Sequence, residues 1–411
     1  MQRLKWTTLV ACVMGSALVS GQAPQPPAPS APTPTFKASV EYVEVDALVT
    51  DEQGRLVGDL QKDDFEVLED GRLQTITNFT RVDIPIERAD RPLFDPDPLE
   101  PDVQTNEKPF EGRVYVLILD DLHTEFTRSQ RVKMAARQFI QRYLGANDLM
   151  AVVFTGGRTE AAQEFTSNKR LLLASVDQFA GRKLESSTLA RNSEYFRTLG
   201  MPQFGNRIAD PYDAERGFNA RSTLSLVEKI SDWFGGVRGR RKSILLMSEG
   251  IDYDITDVFN NQAASSVMDD SRAAIAAATR SNVSIYSIDP RGLSALGDDT
   301  IGVSSFADQG TAAPTTDSGV AAPDVRGIGL SGIASELRLS QDSLRTLSDE
   351  TGGLAAVNSN QLATAFERIV ADNSSYYVLA YYPPTERRDG RFHRISVRVK
   401  RPGLTVRARR G

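Results

Sequence analysis

Cysteine and histidine are nearly absent. Cys12 is the single cysteine among 411 residues, and it lies in an apolar N-terminal stretch. Without that stretch the chain has no thiol, which excludes disulfides, thiolate metal sites and cysteine nucleophiles. Only His123 and His393 are present. A multi-histidine zinc centre is impossible, and a Ser-His-Asp triad would have to use one of those two. A strong positive excess is missing as well: the formal net charge is −6, which argues against nucleic acid as a partner. Thr155-Gly156-Gly157 is too short for a phosphate-binding loop and lacks its lysine, and no other Gly-rich loop follows a predicted strand.

The N-terminus reads as a secretory signal over residues 1–21. Arg3 and Lys5 form a positive start, and Leu9 to Val19 is an apolar core too short to span a bilayer. Val19-Ser20-Gly21 offers a cleavage point before Gln22. Cleavage removes Arg3 and Lys5 and takes the net charge from −6 to −8. The alternatives are a retained anchor, or lipidation at Cys12 in the lipobox-like Leu9-Val10-Ala11-Cys12. The expected location is therefore outside the cytoplasm: periplasm, cell envelope or extracellular space.

The length predicts two or three structural units. Residues 22–35 are a Pro/Ala-rich tether. Residues 36–84 read as a small β unit. Val43, Val45, Ala47 and Val49 alternate, in a different phase from Ala38, Val40 and Tyr42, which suggests a bulge. Asp70-Gly71 between Phe65–Leu68 and Gln74–Thr77 signals a hairpin. Residues 85–110 form a Pro-rich acidic linker. An α/β alternation then runs over 111–372. It has a helix near Ser129–Leu144, a helix capped by Thr166 or Ser167, an irregular insertion over Gly181–Asn219, and helices at 223–234, 262–280, 341–350 and 360–371. A Gly/Ser/Thr-rich stretch at 292–332 has little to bury and is expected to be disordered and dispensable for folding. Residues 373–411 return to β, and the two β ends are able to pair into one small module. The fold class expected is a doubly wound, mostly parallel sheet flanked by antiparallel β segments.

Two apolar strands each run into an acidic loop. Val114–Leu119 leads to Asp120-Asp121-Leu122-His123-Thr124, and Ser243–Met247 leads to Ser248-Glu249-Gly250. Continuous apolar strands belong to a sheet covered on both faces, and ligands bind beyond their carboxyl ends. Asp121, Asp252, Asp254, Asp257 and Asp289 are expected on the same edge, as cation ligands or as a solvated acidic rim.

At these residues the chain resembles the von Willebrand factor type A domain, whose metal-ion-dependent adhesion site begins with an Asp after a strand. Val45-Asp46-Ala47-Leu48-Val49-Thr50-Asp51, Asp64-Phe65, Glu69-Asp70-Gly71, Thr351-Gly352-Gly353 and the Tyr377–Pro383 segment are similar to the VWFA-related proteins typical of Acidobacteria. The resemblance implies metal ligands at Asp120, Thr124, Thr223 (placed at the start of a helix) and Glu249, with magnesium as the ion. Leu122 falls where the first serine belongs and cannot coordinate, and Glu249 stands where Asp is usual. The alternative is a metal-free scaffold.

The expected function is an exported, non-enzymatic protein-binding module that presents this sheet edge to a protein partner. The rival is a metal-assisted hydrolase using Asp120, Glu249 and His123, which needs the three to converge in a closed pocket; a structural envelope component is a third possibility. Membrane contact is left to the leader, a lipid on Cys12, or the C-terminal stretch 386–411, with ten Lys/Arg against two acids.

Overall fold

Alternation sets the first element. In strand β1 (Val43–Thr50), Val45, Ala47 and Val49 turn into an apolar core, so Asp46 faces the other way. Strands β2 (Phe65–Glu69) and β3 (Arg72–Gln74) form a hairpin, and β4 (Ile76–Asp83) follows. The hairpin turn places Asp70 at φ 48° and Gly71 at φ 78°. Such a left-handed pair is what Asp-Gly supplies at least cost. The computed structural model describes residues 42–86, 112–198, 209–237, 241–256, 261–294, 330–383 and 393–409. The leader, the tether, nearly all of the Pro-rich linker and residues 295–329 of the Gly/Ser/Thr-rich stretch lie outside these. So does the phase shift near residues 38–42, apart from its last residue.

The α/β part runs β5 (Val114–Leu119), α1 (Ser129–Arg142), β6 (Leu149–Phe154), β7 (Gln163–Thr166), α2 (Lys169–Asp177), α3 (Ser187–Thr198) and α4 (Asp213–Phe234). It continues through β8 (Lys242–Met247), α5 (Ala264–Arg280), β9 (Val283–Ile288), α6 (Leu330–Glu350), β10 (Ala355–Ala356) and α7 (Leu362–Ser374). The six strands lie in the order β10-β9-β8-β5-β6-β7, all parallel except the edge strand β7. Strand β5 explains why its run is apolar throughout. Tyr115, Leu117 and Leu119 pack with α1, α2 and α7, while Val114, Val116 and Ile118 pack with α4, α5 and α6. From β5 the chain moves outward through β6 to β7, then returns to the other side of β5 as β8. Where the winding direction reverses, the loops leaving β5 and β8 part and leave a crevice.

Several local expectations change. The segment 181–219 is not irregular throughout: it holds α3 and the first turns of α4. Helix α4 starts at Asp213, so Thr223 sits in mid-helix rather than at a helix start. Gly217 hides this beginning. A Cβ there would stand 2.5 Å from the Ala263 Cβ, so glycine is present for close packing and not as a helix breaker. Helix α2 is capped by Asn168, whose side chain accepts from the Arg170 and Leu171 N–H groups, rather than by Thr166 or Ser167. Helix α6 begins at Leu330, eleven residues before the expected start.

The chain ends close the flank. Strands β11 (Ser375–Tyr381), β12 (Ile395–Val399) and β13 (Thr405–Ala408) give one sheet in the order β13-β1-β11-β4 and another in the order β12-β2-β3. Both sheets contribute to one core, in which the rings of Phe65, Phe79 and Tyr377 lie 5.1–5.7 Å apart. The pairing of the two ends, left open by the sequence, is thus a single two-sheet module. Several of its basic residues have partners within the chain. Arg407 bonds Asp372, Arg409 donates to the Thr279 and Glu44 carbonyls, and Arg401 pairs with Asp59. The described residues, all from Tyr42 onward, form one compact unit. Among the described residues no helix is long and apolar enough to cross a membrane.

Candidate functional site

Asp120 is the first residue past β5 and is wholly buried. A carboxylate there must be compensated by donors. The Ser248 hydroxyl, past the end of β8, donates to its Oδ2 at 2.6 Å, and the Thr155 hydroxyl, past the end of β6, donates to Oδ1 at 2.7 Å. The loop then folds back three residues later. The His123 N–H donates to Oδ1 at 3.2 Å, and His123 Nδ1 lies 3.0 Å from Oδ2. Thr223 comes in from α4, its Oγ1 3.5 Å from Asp120 Oδ1 and 3.3 Å from His123 Nδ1. Burial pushes Asp120 upward, but the His123 charge and the hydrogen bonds outweigh it and hold the carboxyl below its usual range. Burial pushes His123 downward, and the Asp120 carboxylate reverses that, leaving the imidazole above its usual value. The two form a buried ion pair.

Glu249, also from the β8 loop, is buried but belongs to a second cluster. Its Oε1 accepts from the Glu125 N–H at 3.0 Å, and its Oε2 meets Arg128 Nη1 at 3.0 Å and Lys183 Nζ at 3.5 Å. The extra methylene relative to Asp lets it cross to the β5 loop. Its backbone carbonyl accepts from Arg291 Nη2 at 2.5 Å. The next residue must be glycine: Gly250 has φ 86°, and a Cβ would stand 2.0 Å from the Ser340 carbonyl oxygen.

The expected acidic rim is a charge-paired edge. Asp121 is bound by Arg182 at 2.6 Å, Asp289 by Arg291 at 2.8 Å, and Asp252 by Lys183 at 3.3 Å. Asp254 closes a turn by accepting from Thr256 N–H and Oγ1, and Asp257 lies outside the described residues. Sequence reasoning missed Arg128, Lys183 and Arg291. Lys183 lay in the stretch read as irregular, and nothing local marks a lysine as a partner for a loop some seventy residues on. Thr155 was visible only as part of a failed phosphate-loop motif.

Of the four expected metal ligands, the structure brings Asp120 and Thr223 together. Glu249 bonds Arg128 and Lys183 instead. Thr124 is buried, and its hydroxyl has no hydrogen-bond partner. Leu122 is half-buried, and its N–H donates to Thr155 Oγ1 at 3.3 Å. Magnesium requires about six oxygens at ~2.1 Å in near-octahedral array. Asp120 already accepts from the Ser248 and Thr155 hydroxyls, a backbone N–H and an imidazole, with the Thr223 hydroxyl a longer fifth contact, which uses the roughly four acceptor sites of a carboxylate. Among the described residues no three His, Cys, Asp or Glu side chains are placed to hold a metal ion. This donor set does not fit a divalent cation.

Above Glu249 opens a cleft of about 200 Å³ between the β5 loop, the segment before α3, the β8 loop and α6. Glu125, Arg128, Lys183, Asp252, Arg291 and Glu336 are among its walls. Glu336 also ties α6 to α3, accepting from the Ser186 and Ser187 hydroxyls at 2.8 and 2.6 Å. Two large apolar side chains stand beside the wall residues in sequence. Phe126, next to Glu125, is 71% exposed, and Leu293, two residues past Arg291, is 69% exposed. Arg131 joins their loops by donating to the Arg291 carbonyl at 3.0 Å.

The cleft has an acid limit. Burial pushes Asp252 up, but Lys183, Arg216 and His123 outweigh it and bring the carboxyl down to about 2. A depressed carboxylate adds stability above its unfolded value, near pH 4, and loses it as pH falls through the folded value. Asp252→Asn is expected to remove about 2 kcal/mol of pH-dependent stability between pH 4 and pH 2. Denaturant melts of both proteins across that window check this. Parallel curves would mean that the pair with Lys183 contributes nothing.

No family model matches the chain, and no curated protein matches it. The reading of this edge therefore rests on its geometry.

Proposed function

We propose that this chain is an exported, non-enzymatic binding module that offers the carboxyl edge of its parallel sheet to a protein partner. The observation that carries the reading is the charge-lined cleft at the crevice between β5 and β8, with Phe126 and Leu293 exposed on the loops beside it. Exposed apolar side chains next to fixed, paired charges are the ingredients of a protein interface: apolar anchors supply affinity and the charges supply register. A hydrolase reading is less well supported. Asp120 and His123 are spent on each other beneath the surface, and Glu249 is bonded to the Glu125 N–H and Arg128. A general base needs reach to its substrate, and a histidine 4% exposed and bonded to a buried carboxylate lacks it.

The test begins with capture of partners from the export fraction on the chain from Gln22 onward. Affinity of the captured protein is then compared for the native chain and the double variant Phe126→Ser, Leu293→Ser. Loss of two apolar anchors at about 1–2 kcal/mol each should weaken binding roughly 30- to 700-fold with the melting temperature unchanged. Equal affinity would remove this edge as the interface.

A further inference from the structure

We infer that the His123 side chain holds the position a divalent cation would take beside Asp120, so that this edge meets its partner without a metal ion. The inference deepens the binding reading above, and three observations carry it. The first is position. His123 Nδ1 lies within 3.3 Å of both Asp120 oxygens and the Thr223 hydroxyl. A cation shared by those oxygens would stand about 2.1 Å from each, in the space the ring's Nδ1–H now fills. The second is fixation. The ring is nearly inaccessible, and its own backbone N–H is bonded to the same carboxylate, so the backbone that carries it is held in place.

The third is charge. Four acids of this edge, Asp121, Glu249, Asp252 and Asp289, each have an Arg or Lys of the same chain beside them. A metal ion would therefore add positive charge where the negative charge is already met. One atom stays unused. The Thr124 hydroxyl, next to His123 in the loop, is buried without a hydrogen-bond partner. That oxygen is a spare acceptor in the loop that carries the ring.

The experiment is a set of thermal melts with manganese or with EDTA, on the chain from Gln22 onward and on His123→Ser. The native chain is expected to melt at one temperature in both. His123→Ser is expected to melt lower in EDTA and to regain several degrees in manganese, because the vacated space frees Asp120 and Thr223 for an ion. A native chain that manganese stabilises would overturn the inference, and so would a His123→Ser protein indifferent to manganese. Should the serine variant fail to fold, His123→Asn keeps a donor toward Asp120 with less bulk. Calorimetric titration of manganese then decides: uptake by the asparagine variant and none by the native chain supports the inference, and any other pattern overturns it. These melts contain no partner, so their failure leaves the binding reading intact, and failure of the Phe126/Leu293 test leaves the melts intact.

Discussion

Replacing Arg241 by alanine is expected to lower the stability of the whole chain by about 3–5 kcal/mol, the cost of leaving a buried charge without its partner. Arg241 stands one residue before β8, at the opposite end of the sheet from the cleft, and is buried. It bonds Asp46 of β1, donates to Asn373 Oδ1 at 3.2 Å and to Ser284 Oγ at 3.1 Å, and lies over the Tyr376 ring at 4.7 Å from its centroid. One guanidinium thus joins the first strand, the central sheet, the end of α7 and the start of β11. Asp46 faces it because the inward residues of β1 are the apolar Val45, Ala47 and Val49. Urea unfolding should show the loss in the single variant. The double variant Arg241→Met, Asp46→Leu should recover most of it, since an apolar pair carries no desolvation penalty. A loss below about 1 kcal/mol in Arg241→Ala would mean that Asp46 turns to another cation, and Lys242 and Arg409, whose charges also act on this region, are the candidates.

The parts legible in the sequence are those whose cause is local. Strands β5 and β8 are short apolar runs because both faces of each are covered, and their bounds were read to within a residue. The Asp70-Gly71 hairpin was equally plain. Elements whose cause lies elsewhere were not. Strand β7 is only four residues at the sheet edge, three of them polar, held by pairing with β6 rather than by an apolar run of its own. The first turns of α4 contain a glycine placed for α5, which only the packed structure explains. Pairing of β1 with β11 and β13 joins residues more than three hundred positions apart, beyond the reach of periodicity.

The site divides in the same way. Asp120, Ser248 and Glu249 were found because strand ends are local features. The role of His123 was not, because it depends on Thr223, a hundred residues away on a helix whose start was misplaced. The mostly parallel six-stranded sheet and the antiparallel flanks stand on their own hydrogen-bond registers. Von Willebrand A identity remains a resemblance carried by motifs.

Asp120→Ala is expected to be the most damaging change at the cleft edge, costing about 3–5 kcal/mol. It strips the ion-pair partner from His123, the hydroxyl acceptor from Ser248 and Thr155, and the backbone acceptor that folds the Asp120–His123 loop. None of these groups has water at hand, because the carboxylate and the three side chains around it are all buried. Leu122→Ser, one turn of the same loop, should change stability by less than about 1 kcal/mol, since Leu122 is only half-buried and contributes its backbone N–H. A double-mutant cycle separates the ion pair from the rest. If Asp120 acts chiefly on His123, then Asp120→Ala and His123→Leu together should cost about 2–3 kcal/mol less than the sum of the two single changes. Coupling under about 0.5 kcal/mol would show that the hydroxyls, not the imidazole, hold the carboxylate in place. The same cycle in manganese should give the same coupling, because no ion takes part while the ring is present; a coupling that shrinks with manganese would mean that the ion competes with the ring for Asp120.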